Sequence, residues 1–156
     1  LKFKHELGQR LCVMAYQLLK QGLREEYGIT DNPVFEYNEH GKPSITGHPG
    51  IHFNLSHCKH AVVCVLSDRP IGVDVEYIRP YSESLAHYTM NDEELSQIQS
   101  AEHPDEAFIR LWTMKEAAMK LIGTGISNDL KQVLKAPYKY TTVVDDQRRY
   151  IYTVCE

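Results

Sequence analysis

Two carboxylates placed two residues apart, Asp74 and Glu76 in the stretch IGVDVEYIRP, are where this sequence first points to chemistry. In an extended strand Ile71, Val73 and Val75 turn to one face, and Asp74 and Glu76 to the other. Like charges side by side repel each other unless a cation lies between them. The face is either a solvated strand surface or a metal-binding one, and these two residues alone leave both readings open.

A second group of candidates lies in EAFIRLWTMKEAAMKLIG. At ~100° per residue, Trp112, Lys115, Glu116 and Lys120 fall within a helical arc of roughly 140°. Glu116 and Lys120 are spaced i,i+4, and a surface ion pair of that kind stabilises by only ~0.2–0.5 kcal/mol. A tryptophan and an extra lysine on the same arc fit a partly buried polar site better than an open surface. Asp74, Glu76 and Glu116 together would be three hard oxygen ligands with room left for water and phosphate, which is how magnesium is held. Lys115 and Lys120 would then neutralise phosphate charge. On spacing alone this reading stands level with the surface pair.

The run HFNLSHCKH places His52, Asn54 and Ser56 on one strand face, with His57 near the strand end. No GxSxG elbow surrounds Ser56, so a serine nucleophile is not indicated. The same region, with His48, His52, His57, Cys58 and His60, is rich enough in soft ligands for a zinc-binding module. Its spacings match no standard zinc motif. The turn HGKP carries Lys42, which reads equally as a plain surface loop.

The elements that must position these residues follow from periodicity and breakers. Gln9 to Tyr27 reads as a helix with Leu11, Val13, Met14, Leu18, Leu19 and Leu23 on a broad apolar side, ended by Gly28. VFEYN reads as a short strand and EHGKPSITGHPG as loop. IHFNLS, AVVCVLS and IGVDVEY are three strands, the second of them central, with DRP turning between the last two. Beyond Ser82, Asn91 and Glu94 form a capping box for a helix reaching about Ala101. A longer helix spans about Asp105 to Ile122 and closes at Gly123, and the tail forms a hairpin around DDQ. Strands and helices are segregated, which is α+β.

With 156 residues, 42% hydrophobic and 24% charged, the chain is long enough for one domain or two small packed lobes. A net charge of -4 and a pI near 6.1 provide no basic footprint for nucleic acid or an acidic membrane. The longest apolar run, Ala61 to Leu66, is far too short to span a bilayer, and the charged start LKFKHELGQR is unlike a signal peptide. Cys12, Cys58, Cys64 and Cys155 form no CxxC pair and fit free thiols of a reducing cytoplasm. A first residue of Leu rather than Met points to an incomplete or processed N-terminus.

In order and approximate spacing, GKP, FNLSH, IGVDVE and RLWTMKEAAMK resemble the motifs of the 4'-phosphopantetheinyl transferases, of the larger surfactin-synthetase-activating type. The resemblance covers about Arg10 to Ser127. It implies two pseudo-symmetric α/β lobes, about 1–70 and 71–156, with the active site in the cleft between them and a monomeric, cytoplasmic protein. The first lobe lacks a segment that larger members carry upstream. The implied reaction moves the phosphopantetheine arm of coenzyme A onto a serine of an acyl or peptidyl carrier protein, releasing 3',5'-ADP. By the same resemblance Asp74, Glu76 and Glu116 hold magnesium or manganese. Glu116 is also a proposed base, and Lys120 and Lys115 are the catalytic lysines. Arg10, Lys42, Pro43, Ser56 and His57 contact coenzyme A. An inactive relative that only binds coenzyme A or the carrier is the alternative. The resemblance leaves the pathway open among fatty-acid, polyketide and nonribosomal peptide synthesis.

Overall fold

The computed structural model describes residues 2–123, 129–147 and 149–156. The elements run α1 (Lys2–Tyr27), β1 (Phe35–Tyr37), β2 (Pro43–Ile45), β3 (His52–Cys58), β4 (Ala61–Ser67), β5 (Gly72–Tyr77), α2 (Glu83–Thr89), α3 (Asp92–Ser100) and α4 (Pro104–Ile122). A 3-10 turn at Val133–Lys135 then leads to β6 (Tyr140–Asp145) and β7 (Tyr150–Cys155). Helices and small antiparallel sheets are segregated along the chain, which is the expected α+β architecture.

In the first half α1 starts well before the expected Gln9, because Lys, Glu and Leu upstream are strong enough helix formers to carry the turn across Gly8. Its buried stripe is narrower than its apolar side. Ala15, Leu19 and Leu23, spaced by four, are buried, and the last two pack on Ile45 and Phe53, while Val13, Met14 and Leu18 are exposed. The helix ends at Gly28, whose φ of 67° takes the left-handed cap conformation. The stretch expected as loop contains β2, paired with β1 from Phe35↔Ile45 to Tyr37↔Pro43. A strand of three residues beginning in proline has the composition of a loop. Pro43 is tolerated because a strand's first residue can forgo its N–H.

β3 and β4 pair antiparallel from His52↔Ser67 to Cys58↔Ala61. Among the described residues β4 has no second ladder, so it is not the central strand its composition suggested. An apolar, β-branched run reports apolar surroundings, not paired edges on both sides. In the second half the strand order is β5-β7-β6, with Gly72 opposite Cys155 and the β6–β7 hairpin closing at Asp145↔Tyr150. The Asn91 capping box forms as read, and α4 ends at Gly123 with φ 72°. Ala86, Met90, Ile98, Phe108, Ile109 and Ile151 make the main core of this half. β5 lies so close to α4 that a Cβ on Gly72 would meet the Ala117 carbonyl and sit 2.6 Å from the Leu121 nitrogen.

The seam between the halves is made by side chains. The amide of Ile78, just past β5, donates to Arg149 on the β7 side, so the Val73 and Val75 amides, out of phase with it, face the other way. There Asn54 Oδ1 accepts from the Val73 amide at 2.8 Å, and Ser56 Oγ accepts from the Val75 amide at 3.2 Å. Residues 54 and 56 thus run alongside 73 and 75, and side-chain oxygens replace the carbonyls of a strand ladder. No helix among the described residues is long and apolar enough to cross a membrane.

Candidate active site

A cleft of about 260 Å³ opens where the halves meet. The β1–β2 turn and β3 line it with Lys42, Pro43, Asn54 and Leu55, and α4 lines it with Glu116, Met119, Lys120 and Gly123. The turn is held open by Asn38, whose Oδ1 accepts from the amides of His40 at 3.0 Å and Lys42 at 2.8 Å. It is also fastened to the C-terminus of α4. Asn38 Nδ2 donates to the Gly123 carbonyl at 3.1 Å, and Lys42 Nζ donates to the Leu121 carbonyl at 2.8 Å. A lysine there complements the negative end of the helix dipole. Partial burial lowers the Lys42 pKa, and one hydrogen bond leaves two of its three donors for an anion.

Asp74 lies beside this cleft, on β5, and is only 5% exposed. Its Oδ1 accepts from Lys120 Nζ at 2.6 Å and from the Ser56 hydroxyl at 2.9 Å. Its Oδ2 is buried and, among the described residues, has no partner. Lys120 also donates to Ser56 Oγ at 3.0 Å and to the Val73 carbonyl at 3.2 Å. Glu116, four residues before Lys120, has its pKa raised by burial and by the neighbouring Asp74 carboxylate, against the lowering influence of Lys120; Glu76 adds a smaller raising influence. The expected meeting of Asp74, Glu116 and Lys120 is therefore present. Glu76 lies near enough to act on Glu116 but is paired with Arg79 at 2.7 Å.

The three carboxylates are the right donors for a hard divalent cation, and the orphaned Asp74 Oδ2 is an acceptor that a cation would satisfy. They do not converge as a ready ligand set. Among the described residues no group of three or more His, Cys, Asp or Glu side chains is placed to hold a metal ion. That finding also counts against the zinc module. Within β3, His57 is exposed and Cys58 buried, on opposite faces of the strand, and burial raises the Cys58 thiol pKa, which opposes the thiolate a metal needs.

Three expected site residues lie elsewhere. Lys115 is fully buried, ion-paired with Glu94 at 2.7 Å and donating to the Leu130 carbonyl at 2.6 Å. It sits at the opposite end of the 140° arc from Lys120, and that width is enough for the two lysines to meet different neighbours. Trp112 packs parallel to Phe108 with ring centroids 6.4 Å apart, on the core rather than in the cleft. Arg10 is exposed beside Val13 and Met14. His57 Nε2 lies 3.9 Å from Cys12 Sγ, and Cys12 is roughly 160° around the helix from Arg10, so Arg10 and His57 are not brought together. Asn38 and Asn54 were missed as positioning residues. Asn54 shares a strand face with Ser56, which was visible, but that β5 amides lie opposite was not.

A family model described as the 4'-phosphopantetheinyl transferase superfamily matches residues 70–153. The 4'-phosphopantetheinyl transferase psf-1 of Bacillus pumilus is 34% identical over 132 residues, 83% of this chain and 57% of that protein. The 4'-phosphopantetheinyl transferase Sfp of Bacillus subtilis (strain 168) is 30% identical over 129 residues, covering 81% and 58%. The 4'-phosphopantetheinyl transferase HetI of Nostoc sp. is 39% identical over 119 residues, covering 70% and 50%. The chain spans between half and three-fifths of the length of these relatives.

Proposed function

The chain belongs to the 4'-phosphopantetheinyl transferase superfamily, and on that premise we propose that it moves the phosphopantetheine arm of coenzyme A onto a serine of a carrier protein and releases 3',5'-ADP. The observation that carries this reading is the buried Asp74 Oδ2, without a partner among the described residues and beside Glu116, with Lys42 and Lys120 along the adjoining cleft. A pyrophosphate substrate needs both an acceptor set for a cation and lysines that bind phosphate directly. Two acids and two lysines meet that need.

Asp74, Glu116 and Glu76, the last after turning from Arg79, would hold magnesium or manganese, which supplies neutralisation of the pyrophosphate charge. Lys42 binds phosphate from the β1–β2 turn with its free donors, beside Pro43. Lys120 answers the charge that develops on the leaving side. Glu116 takes the proton of the carrier serine hydroxyl as it attacks the pantetheine-side phosphorus. His57, exposed near the end of β3, serves the outlying phosphate of the nucleotide, and Arg10, which lies away from it, has no part in this reading. Both halves of the site come from one chain, which fits a monomer acting in the cytoplasm. The type is the larger, surfactin-synthetase-activating one, with lobes of about 1–70 and 71–156, and the partner is an acyl or peptidyl carrier protein.

Mass spectrometry of an apo-carrier incubated with the chain, coenzyme A and magnesium should show the carrier heavier by one phosphopantetheine arm. An unmodified carrier despite bound coenzyme A would replace this reading with that of an inactive coenzyme A-binding relative.

A further inference from the structure

Asp74 and Glu76 each have a cation of their own, and the two cations are held differently. Lys120 donates to Asp74 Oδ1 at 2.6 Å and is tied as well to Ser56 Oγ at 3.0 Å and the Val73 carbonyl at 3.2 Å. It sits on Oδ1 and leaves Oδ2 free, so it need not move for a metal to bind. Arg79 Nη1 donates to Glu76 Oε2 at 2.7 Å and to the Tyr77 carbonyl at 3.2 Å, and its guanidinium carbon stands 4.7 Å from the centre of the Tyr77 ring. Strand alternation would send residue 79 to the face opposite residue 76. β5 ends at Tyr77, and beyond the strand the arginine folds back onto the carboxylate. Both partners are partly exposed, so water screens the pair and it is readily exchanged.

We propose that Arg79 gates the metal site: it holds Glu76 in the metal-free protein and yields the carboxylate to a divalent cation, so that guanidinium and metal compete for one ligand. The proposal rests on the reading of Asp74, Glu76 and Glu116 as metal ligands. Among the described residues these acids do not converge as a ready ligand set. Glu76 is nevertheless near enough for its charge to raise the Glu116 pKa, behind the larger influences of burial and Asp74. What keeps Glu76 from the other two is therefore the direction its carboxylate is turned, and Arg79 sets that direction. The arginine also keeps a place after release. The Tyr77 carbonyl and ring face hold it without Glu76, so the exchange gives up one of its three contacts.

The test separates competition for a ligand from the effect of nearby charge. Manganese(II) alone, titrated into the whole chain and followed by EPR, should bind Arg79→Ala about 5-fold more tightly than the wild type, the upper end of what a partly exposed ion pair is worth. Lys59 is the control, since its Nζ stands 4.2 Å from the centre of the same Tyr77 ring and it pairs with no carboxylate among the described residues. Lys59→Ala should leave manganese affinity within about 2-fold of the wild type, because an exposed charge is screened. In a Glu76→Gln background Arg79→Ala should change nothing, because the contested ligand is gone. Thermal unfolding in EDTA checks each variant, and Arg79→Met, which keeps a stem over Tyr77 without donors, repeats the measurement if the alanine variant does not fold. Unchanged manganese affinity on loss of Arg79 would overturn the gate. Weaker binding would overturn it too, and make the arginine a group that orients Glu76 for the metal. Tightening equal to that of Lys59→Ala, or tightening that persists without Glu76, would reduce Arg79 to a nearby charge. Each of these results sinks the gate alone and leaves the transfer reaction standing, whereas a wild type that binds no manganese removes the metal reading and the gate with it.

Discussion

Lys115 and Lys120 stand five residues apart on α4, and each is paired with a carboxylate at almost the same distance, 2.7 Å to Glu94 and 2.6 Å to Asp74. The first pair is closed. Lys115 is 0% exposed and also bonded to Leu130, and Glu94 Oε2 also receives the Asn91 amide as part of the α3 cap. Asn91 in turn donates to the Lys131 carbonyl at 3.1 Å, so α3, α4 and the chain after residue 129 share one polar node. The second pair is open. Lys120 is 30% exposed, borders the cleft, and leaves one Asp74 oxygen without a partner among the described residues. One helix thus carries a pair whose groups are used up by the fold and a pair with capacity left for a ligand. Burial alone does not distinguish the two pairs; the free acceptor beside the cleft does.

The largest expected effect breaks the closed pair. Lys115→Ala leaves the Glu94 carboxylate buried without its cation, and stability should fall by ~3–5 kcal/mol in urea unfolding. Lys120→Ala should cost much less stability, since water reaches its ammonium, yet weaken coenzyme A binding severely. Equal destabilisation by the two substitutions would erase the distinction. The mirror experiment is Asp74→Ala. Transfer at saturating magnesium should drop about 10³-fold, equivalent to ~4 kcal/mol in the barrier, while the unfolding midpoint changes little. Full transfer by this variant would remove the metal assignment. A smaller effect concerns what holds β5, and so Asp74, to α4. Gly72→Ala places a methyl against the backbone of Ala117 and Leu121, which cannot move aside as a side chain can, and should cost ~1–3 kcal/mol.

The difference between the lysines also shows what the sequence could and could not reveal. Alternation placed Asp74 and Glu76 on one face of β5, and i,i+4 spacing brought Glu116 beside Lys120, because strand and helix periods are local properties. The Asn91–Glu94 cap was legible for the same reason. That Lys115 turns to Glu94 was not, since 140° of helical arc can face two neighbours and only tertiary packing chooses between them. Glu76 reads as a ligand by alternation, yet Arg79 three residues on has taken it. Ser56 and Asn54 were visible as a polar strand face. Their task, replacing a strand ladder across the seam, depends on residues 19 positions away, which no local period encodes.

Glu116 sharpens the comparison from the open side, since its environment is set by the unfilled pair. Burial and the Asp74 carboxylate raise its pKa above the ordinary carboxylate value, and Lys120 only partly opposes them. Between the ordinary value and the raised one, the folded protein keeps a proton that the unfolded chain has released. Stability therefore falls as pH rises through that window, and the deficit is complete above the raised pKa. Glu116→Gln carries no such deficit, so it should be the more stable protein at neutral pH, with the advantage vanishing at pH values below the ordinary carboxylate range. Its transfer rate should behave in the opposite way. A wild-type carboxylate that accepts the serine proton loses rate as acid protonates it. The amide accepts no proton, so single-turnover transfer by Glu116→Gln should be slow, without that acid limb, and unrescued by excess magnesium. Recovery to near wild-type rates at high magnesium would reduce Glu116 to a ligand, and the base would then have to lie outside this cleft.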